Sequence, residues 1–263
     1  MTNSTDKYFR LFAVCMIIPL ITACKLNNNV DNKATESMTT TYNEGTYGYD
    51  VDFFKNLNIE TIELKDSGSN AMVLIVPGYQ GRVMTSTSDG YEGTGYGWIK
   101  YDLIKGGQIK PQFNPYGGEE RLWLGPEGGM FSVYFKKGTS QEFANWNVPK
   151  EIDTEPFEVV SRDMGSVKFK KDFKLVNYSG TPMEIGIERT VKILSKGEVE
   201  TALGFAPDKD LKFVAFQSEN LLFNKGNQDW TERSGILSIW MLSMFRPSDN
   251  GVVVIPFRKG SEK

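Results

Sequence analysis

Residues 114–129 read NPYGGEERLWLGPEGG, crowding three glutamates, an arginine, a tyrosine and a tryptophan between glycine-rich bends. Pro115 fixes one φ, and the paired glycines permit backbone angles closed to other residues. If EERLWL runs extended, Glu119, Arg121 and Trp123 share one face, and Glu120, Leu122 and Leu124 share the other. The leucines then belong to the core. The first face gathers a carboxylate, a guanidinium and an indole, with Asn114 at the head of the segment and Glu127 at its far bend. Carboxylates and guanidinium make directional bonds to hydroxyls, and a flat ring covers C–H groups, so such a wall suits a sugar ring. The same groups have a second use. Arg121 could bridge Glu119 or Glu127 to hold two bends in register, and Trp123 could be core as readily as platform.

The rest of the chemistry is bounded by what is missing. The chain has no histidine and two cysteines. A serine or cysteine nucleophile therefore lacks an imidazole base, and zinc or copper sites built from His and Cys are out. No EF-hand spacing and no cofactor motif appears. GYEGTGYGW (90–98) lacks the strand-loop-helix setting and following Lys-Ser/Thr of a phosphate cradle and reads as a loop. NYS at 177–179 is a glycosylation sequon on paper only. A two-carboxylate reaction would need Glu119 with Glu127, since Glu119 and Glu120 point oppositely on a strand; these two are the weak catalytic candidates. The formal net charge is −3 with no basic run, which argues against nucleic acid.

Strands must position these groups. In SVKFKKDFKLV (166–176) and PMEIGIERTVKI (182–193), apolar residues alternate with charged ones, and YSG between them supplies the turn, so the pair reads as a hairpin. Further strands are expected at 58–64, 71–77, 82–88, 131–136, 156–161, 212–217, 235–244 and 251–257. The best helix is DVDFFKNL (50–57), capped by Asp50 or Asp52 and covering the end of a sheet. The expected class is all-β, in two packed antiparallel sheets. Trp98, Trp146 and Trp240 stand in apolar settings and read first as core, and Glu219 and Asn220 as a turn.

The first 23 residues carry Lys7 and Arg10 before an apolar run at 11–21 that is too short to span a bilayer, and they read as a signal peptide. ITAC, ending at Cys24, resembles a bacterial lipobox, in which that cysteine is lipidated. The expectation is a lipid-anchored protein of the bacterial cell envelope, on the outer membrane, with Cys24 spent on lipid and no thiol left for a disulfide. Residues 24–47 are polar and Asn/Thr-rich and read as a flexible tether, leaving 48–263 as the domain. GVVVIPFRKGSEK places an apolar strand beside the terminus: either it is an edge strand, or the chain is shorter than its fold.

LIVPGYQGRVMTSTSDG (74–90) followed by NPYGGEERLWLGPEGG resembles the galactose mutarotase-like (aldose 1-epimerase-like) group, and more closely a lipoprotein branch of it found in Bacteroidetes. VNYSGTPMEIGIERTV and GILSIWMLSMFRPSDNGVVVIPF fit the same branch. The resemblance implies an antiparallel β-supersandwich, incomplete at the C-terminus if the chain is truncated, and a carbohydrate site on a concave sheet face. It also implies an arginine near the sugar, here Arg82, for which a solvated strand-edge role is the alternative. The group's catalytic histidine is absent, with Gln112 standing where relatives carry one, and its late glutamate has no matching position. The implied function is therefore carbohydrate binding without mutarotase catalysis. The alternatives are a carboxylate-based epimerase or glycosidase, and a truncated, inactive structural lipoprotein.

Overall fold

The computed structural model describes residues 41–255 and residue 260. The signal peptide, Cys24 and residues 256–257 of the last expected strand lie outside the described residues. The chain is all-β with a few short helices. Three strands, β1 (Ile62–Lys65), β2 (Met72–Val76) and β3 (Arg82–Thr87), form one antiparallel sheet. A ribbon pairs β4 (Arg121–Gly125) with a distant strand, β9 (Ser238–Leu242). Four strands, β5 (Glu158–Arg162), β6 (Ser166–Val176), β7 (Pro182–Ile193) and β8 (Phe216–Asn224), form the third sheet, in chain order. Where two sheets were expected, the described residues form three. An isolated bridge, with Val83 and Glu120 exchanging backbone hydrogen bonds of 3.2 and 3.3 Å, ties the first sheet to β4.

Side-chain parity explains the layering. MVLIV of β2 is buried throughout, as a strand covered on both faces must be. Val73 and Ile75 join Val167, Phe169, Ile185, Ile187 and Val191 of the large sheet in one core. Met72, Leu74 and Val76 face the other way, into a second core with Tyr47, Phe54 and Ile104. Those residues come from helix α1 (Tyr47–Asn56) and helix α2 (Tyr101–Gly106), so the first sheet lies between helices and the large sheet. A third helix, α3 (Lys196–Leu203), follows β7 and opens on a Ser195/Glu198 capping box.

Several expectations shift. The cap of α1 is Thr46, not Asp50 or Asp52, and its hydroxyl accepts from the Tyr49 amide. The helix covers a sheet face rather than a sheet end. Residues 45–47, at the end of the expected tether, belong to the folded unit, with Tyr47 fully buried. Residues 131–136 form no strand: Val133, Tyr134 and Phe135 are buried from a turn, held by the Tyr134 hydroxyl donating to the Leu124 carbonyl. Glu219 and Asn220, read as a turn, lie inside β8, which starts later than 212 and runs longer. Residues 251–255 are not a strand and are exposed. The hairpin of β6 and β7 pairs from Ser166↔Lys192 to Val176↔Pro182, as its alternation requires.

Candidate functional site

The bends around EERLWL are built as their glycines demand. Gly117 and Gly118 have φ of +91° and +110°, and a Cβ on Gly117 would meet the Trp98 carbonyl at 2.1 Å. The chain between them and Gly125 is sealed. Asn114, Glu119, Arg121 and Trp123 are all buried, as is Arg82.

Each buried group has its own partners. Asp153 anchors two of them: its Oδ1 accepts from Arg121 Nη2 at 2.7 Å and its Oδ2 from the Asn114 amide at 2.7 Å. Arg121 is thus paired with neither Glu119 nor Glu127. Its guanidinium lies 4.3 Å from the Trp123 ring centroid and 5.3 Å from Phe113. Trp123 touches Phe113, Tyr134, Trp146 and Trp240, with centroids between 5.2 and 6.2 Å away. Glu119 turns to β3, accepting from the Ser86 amide and, at 2.8 Å, from its hydroxyl. Burial pushes its carboxyl up to about 7, against the pull of those two bonds. Arg82 donates to the Gly117 carbonyl at 2.9 Å and to Gln80 at 3.1 Å, with the Tyr79 and Tyr116 rings each within 6 Å. Desolvation, and then the neighbouring Arg121, hold its guanidinium below its ordinary value.

Glu127 alone of the expected set reaches solvent, and it lines a cleft of about 470 Å³ with Phe135, Gln141, Phe143 and Trp146. Phe143 is 75% exposed and stacks on half-buried Trp146, centroids 5.9 Å apart and planes 18° from parallel. Among the described residues Glu127 makes no ion pair, while Gln141 is committed to both backbone polar groups of Gly129. Gln112 does not face a ligand either; its amide donates to the Phe143 carbonyl and so ties down the loop that carries the exposed ring. The cleft can offer flat apolar faces and a free carboxylate. Glu119 and Glu127 are not a matched pair across it, for Glu119 is buried against Ser86.

Two polar clusters went unread in the sequence. Arg189 on β7 donates to Glu120 at 2.9 Å, to Asn220 at 2.7 Å and to the Gly81 carbonyl at 3.1 Å. Its signal was available: residue 189 has the parity of Ile187 and Val191, so an arginine there must be buried. Asp50 is fully buried on α1, bonded by the Tyr101 hydroxyl and 3.9 Å from Arg246. Burial raises its carboxyl to about 6, although Tyr101 and Arg246 pull it down. Asp153 gave no signal, being an aspartate in a turn whose partners lie 32 and 39 residues away.

A family model described as a family of unknown function, DUF6786, matches residues 45–263. The chain belongs to this family. No curated protein and no solved structure matches it. The DUF6786 region begins at Gly45, one residue before the cap of α1, and contains every cluster described above. Among the described residues no group of three or more Cys, Asp and Glu is placed to hold a metal ion, and no helix is long and apolar enough to cross a membrane.

Proposed function

We propose that this DUF6786 chain is a lipid-anchored cell-envelope protein that binds carbohydrate without turning it over, on a scaffold akin to the mutarotase-like β-supersandwich. The observation that carries the reading is the cleft of Phe143, Trp146 and Glu127, where an exposed ring stacked on a second ring lies beside an unpaired carboxylate. A pyranose laid on the Phe143 face would bury its C–H groups there and turn a hydroxyl to Glu127. The sugar wall expected of Glu119, Arg121 and Trp123 is better given to holding the fold, since all three are buried, with Glu119 bonded to Ser86, Arg121 to Asp153 and Trp123 packed among rings. Binding is favoured over carboxylate catalysis because Glu127 has no second free carboxylate opposite it in the cleft lining.

Calorimetric titration of the mature chain with a panel of mono- and oligosaccharides tests the reading. At least one sugar should bind, and Phe143→Ala should weaken it by about 0.5–1.5 kcal/mol, or two- to tenfold in Kd. A folded protein that binds none of the panel would remove the carbohydrate reading. The anchor has its own check: radiolabelled palmitate should enter the wild-type chain expressed in bacteria and not Cys24→Ser. Equal labelling of the two would place the lipid elsewhere.

A further inference from the structure

The two short helices on the first sheet carry a groove of about 420 Å³ that shares no lining residue with the Phe143 cleft. On α1, Tyr49, Asp52, Phe53 and Asn56 recur at the i, i+3, i+4, i+7 spacing of one helix face, and all four line the groove. The opposite stripe, Tyr47 and Phe54, is spent on the core. Helix α2 contributes Tyr101, Asp102 and Lys105. Tyr42 closes one side. Its ring packs over Gly48, where a Cβ would fall 2.5 Å from the ring, and it stacks on Tyr91 at 5.7 Å.

The rings form a corner rather than a stack. Phe53 and Tyr49 meet Tyr101 with centroids 4.9 and 5.7 Å away, each at 81°. Tyr101 is fixed from behind: its hydroxyl donates to Asp50 and accepts from Arg246 at 3.2 Å. The groove therefore presents aromatic walls with a stationary hinge ring. Its charges are two carboxylates, Asp52 and Asp102, against one ammonium, Lys105, and none of the three makes an ion pair among the described residues.

We propose that this groove binds a small organic cation, a quaternary or alkylated ammonium. Aromatic faces attract a cation through the ring quadrupole and at the same time cover its methyl groups, and a carboxylate at the rim completes the charge. A bare metal ion would find rings where it needs a shell of oxygens. A neutral sugar would find hydrogen-bond acceptors there but would gain no charge attraction from the negative balance of the lining. Lys105 is the one opposing group, and it stands on a flexible stem at the last turn of α2. The proposal is independent of the carbohydrate reading, because its residues and its ligand both differ.

The test is an NMR titration of the mature chain with choline, with its uncharged isostere 3,3-dimethyl-1-butanol, and with glucose. Choline should shift the ring signals of Tyr49, Phe53 and Tyr101 saturably, and the isostere should bind several-fold more weakly. Asp52→Asn and Asp102→Asn, both polar swaps outside the core, should each weaken choline about three- to tenfold. Lys105→Ala should strengthen it, and Lys196→Ala, an exposed change on α3 outside both clefts, should leave it unchanged. Equal binding of choline and the isostere, preference for glucose, or no saturable shift would each overturn the proposal.

Discussion

Arg121 keeps its guanidinium over Trp123 and one nitrogen on Asp153, and it meets that carboxylate only because the chain returns after 32 residues. An arginine two positions from a glutamate is a reasonable candidate for ligand contact or for a local bridge. Here Glu119 goes to Ser86 and Arg121 to Asp153, so neighbours in sequence serve different contacts. The same segregation makes stability depend on pH. Asp50 is raised from an ordinary 3.8 to about 6 and Glu119 from 4.5 to about 7, both first by burial. A carboxyl with a raised folded value stabilises fully below its unfolded value, and that contribution is lost as pH climbs through the folded one. Each is worth at most about 3 kcal/mol, and the two together less than the sum because they sense one another. Glu155, Asp163, Glu188 and Glu198 are instead held below their ordinary values, so their contributions fade only in acid below that window. Urea midpoints should therefore fall between about pH 4 and pH 7.5, and Asp50→Asn with Glu119→Gln should flatten that slope. An unchanged slope in the double variant would show that neither group holds its proton in the folded chain.

Elements were legible where one rule decided them. The β6–β7 hairpin follows from alternation on both strands, because a one-residue slip would turn Val167, Ile185, Ile187, Val191 and Ile193 to solvent. The bend before β4 follows from paired glycines. Gly117→Ala should cost about 2 kcal/mol or more, combining the strain of a positive φ with a collision against the Trp98 carbonyl. Gly107 ends α2 at φ +63° with open space around it, so Gly107→Ala should cost only about 1 kcal/mol. Equal urea midpoints for the two variants would mean that the Trp98 contact yields freely. Elements were illegible where partners decided them. FSVYFK reads as a strand, yet it lies in a turn: Tyr134 and Phe135 reach the core from there, and the Ser132 and Tyr134 carbonyls accept single bonds from the Tyr178 and Asn147 amides rather than a ladder. Phe143, which carries the cleft, sits on a single 3₁₀ turn that the composition around it does not announce.

At the scale of the whole molecule, three sheets must stay in register, and one cluster fastens them. Arg189 belongs to the large sheet, Glu120 enters β4, and the Gly81 carbonyl immediately precedes β3. Glu120→Gln would leave that buried guanidinium without its carboxylate, and unfolding free energy should drop by about 3 kcal/mol. A chemical-denaturation curve unchanged by Glu120→Gln would show that the other two bonds of Arg189 suffice. What the amino-acid order determined alone was local: alternating strands, bends that only glycine allows, an all-β class, and a chemistry without imidazole. Those properties depend on residues within one or two positions of each other, where sterics and side-chain parity act regardless of context. Which carboxylate met which arginine, and which ring reached water, was decided by the tertiary structure. Burial is a property of packed layers, and the partners Asp153, Arg189 and Arg246 arrive from strands, turns and segments whose closeness no short window of sequence encodes.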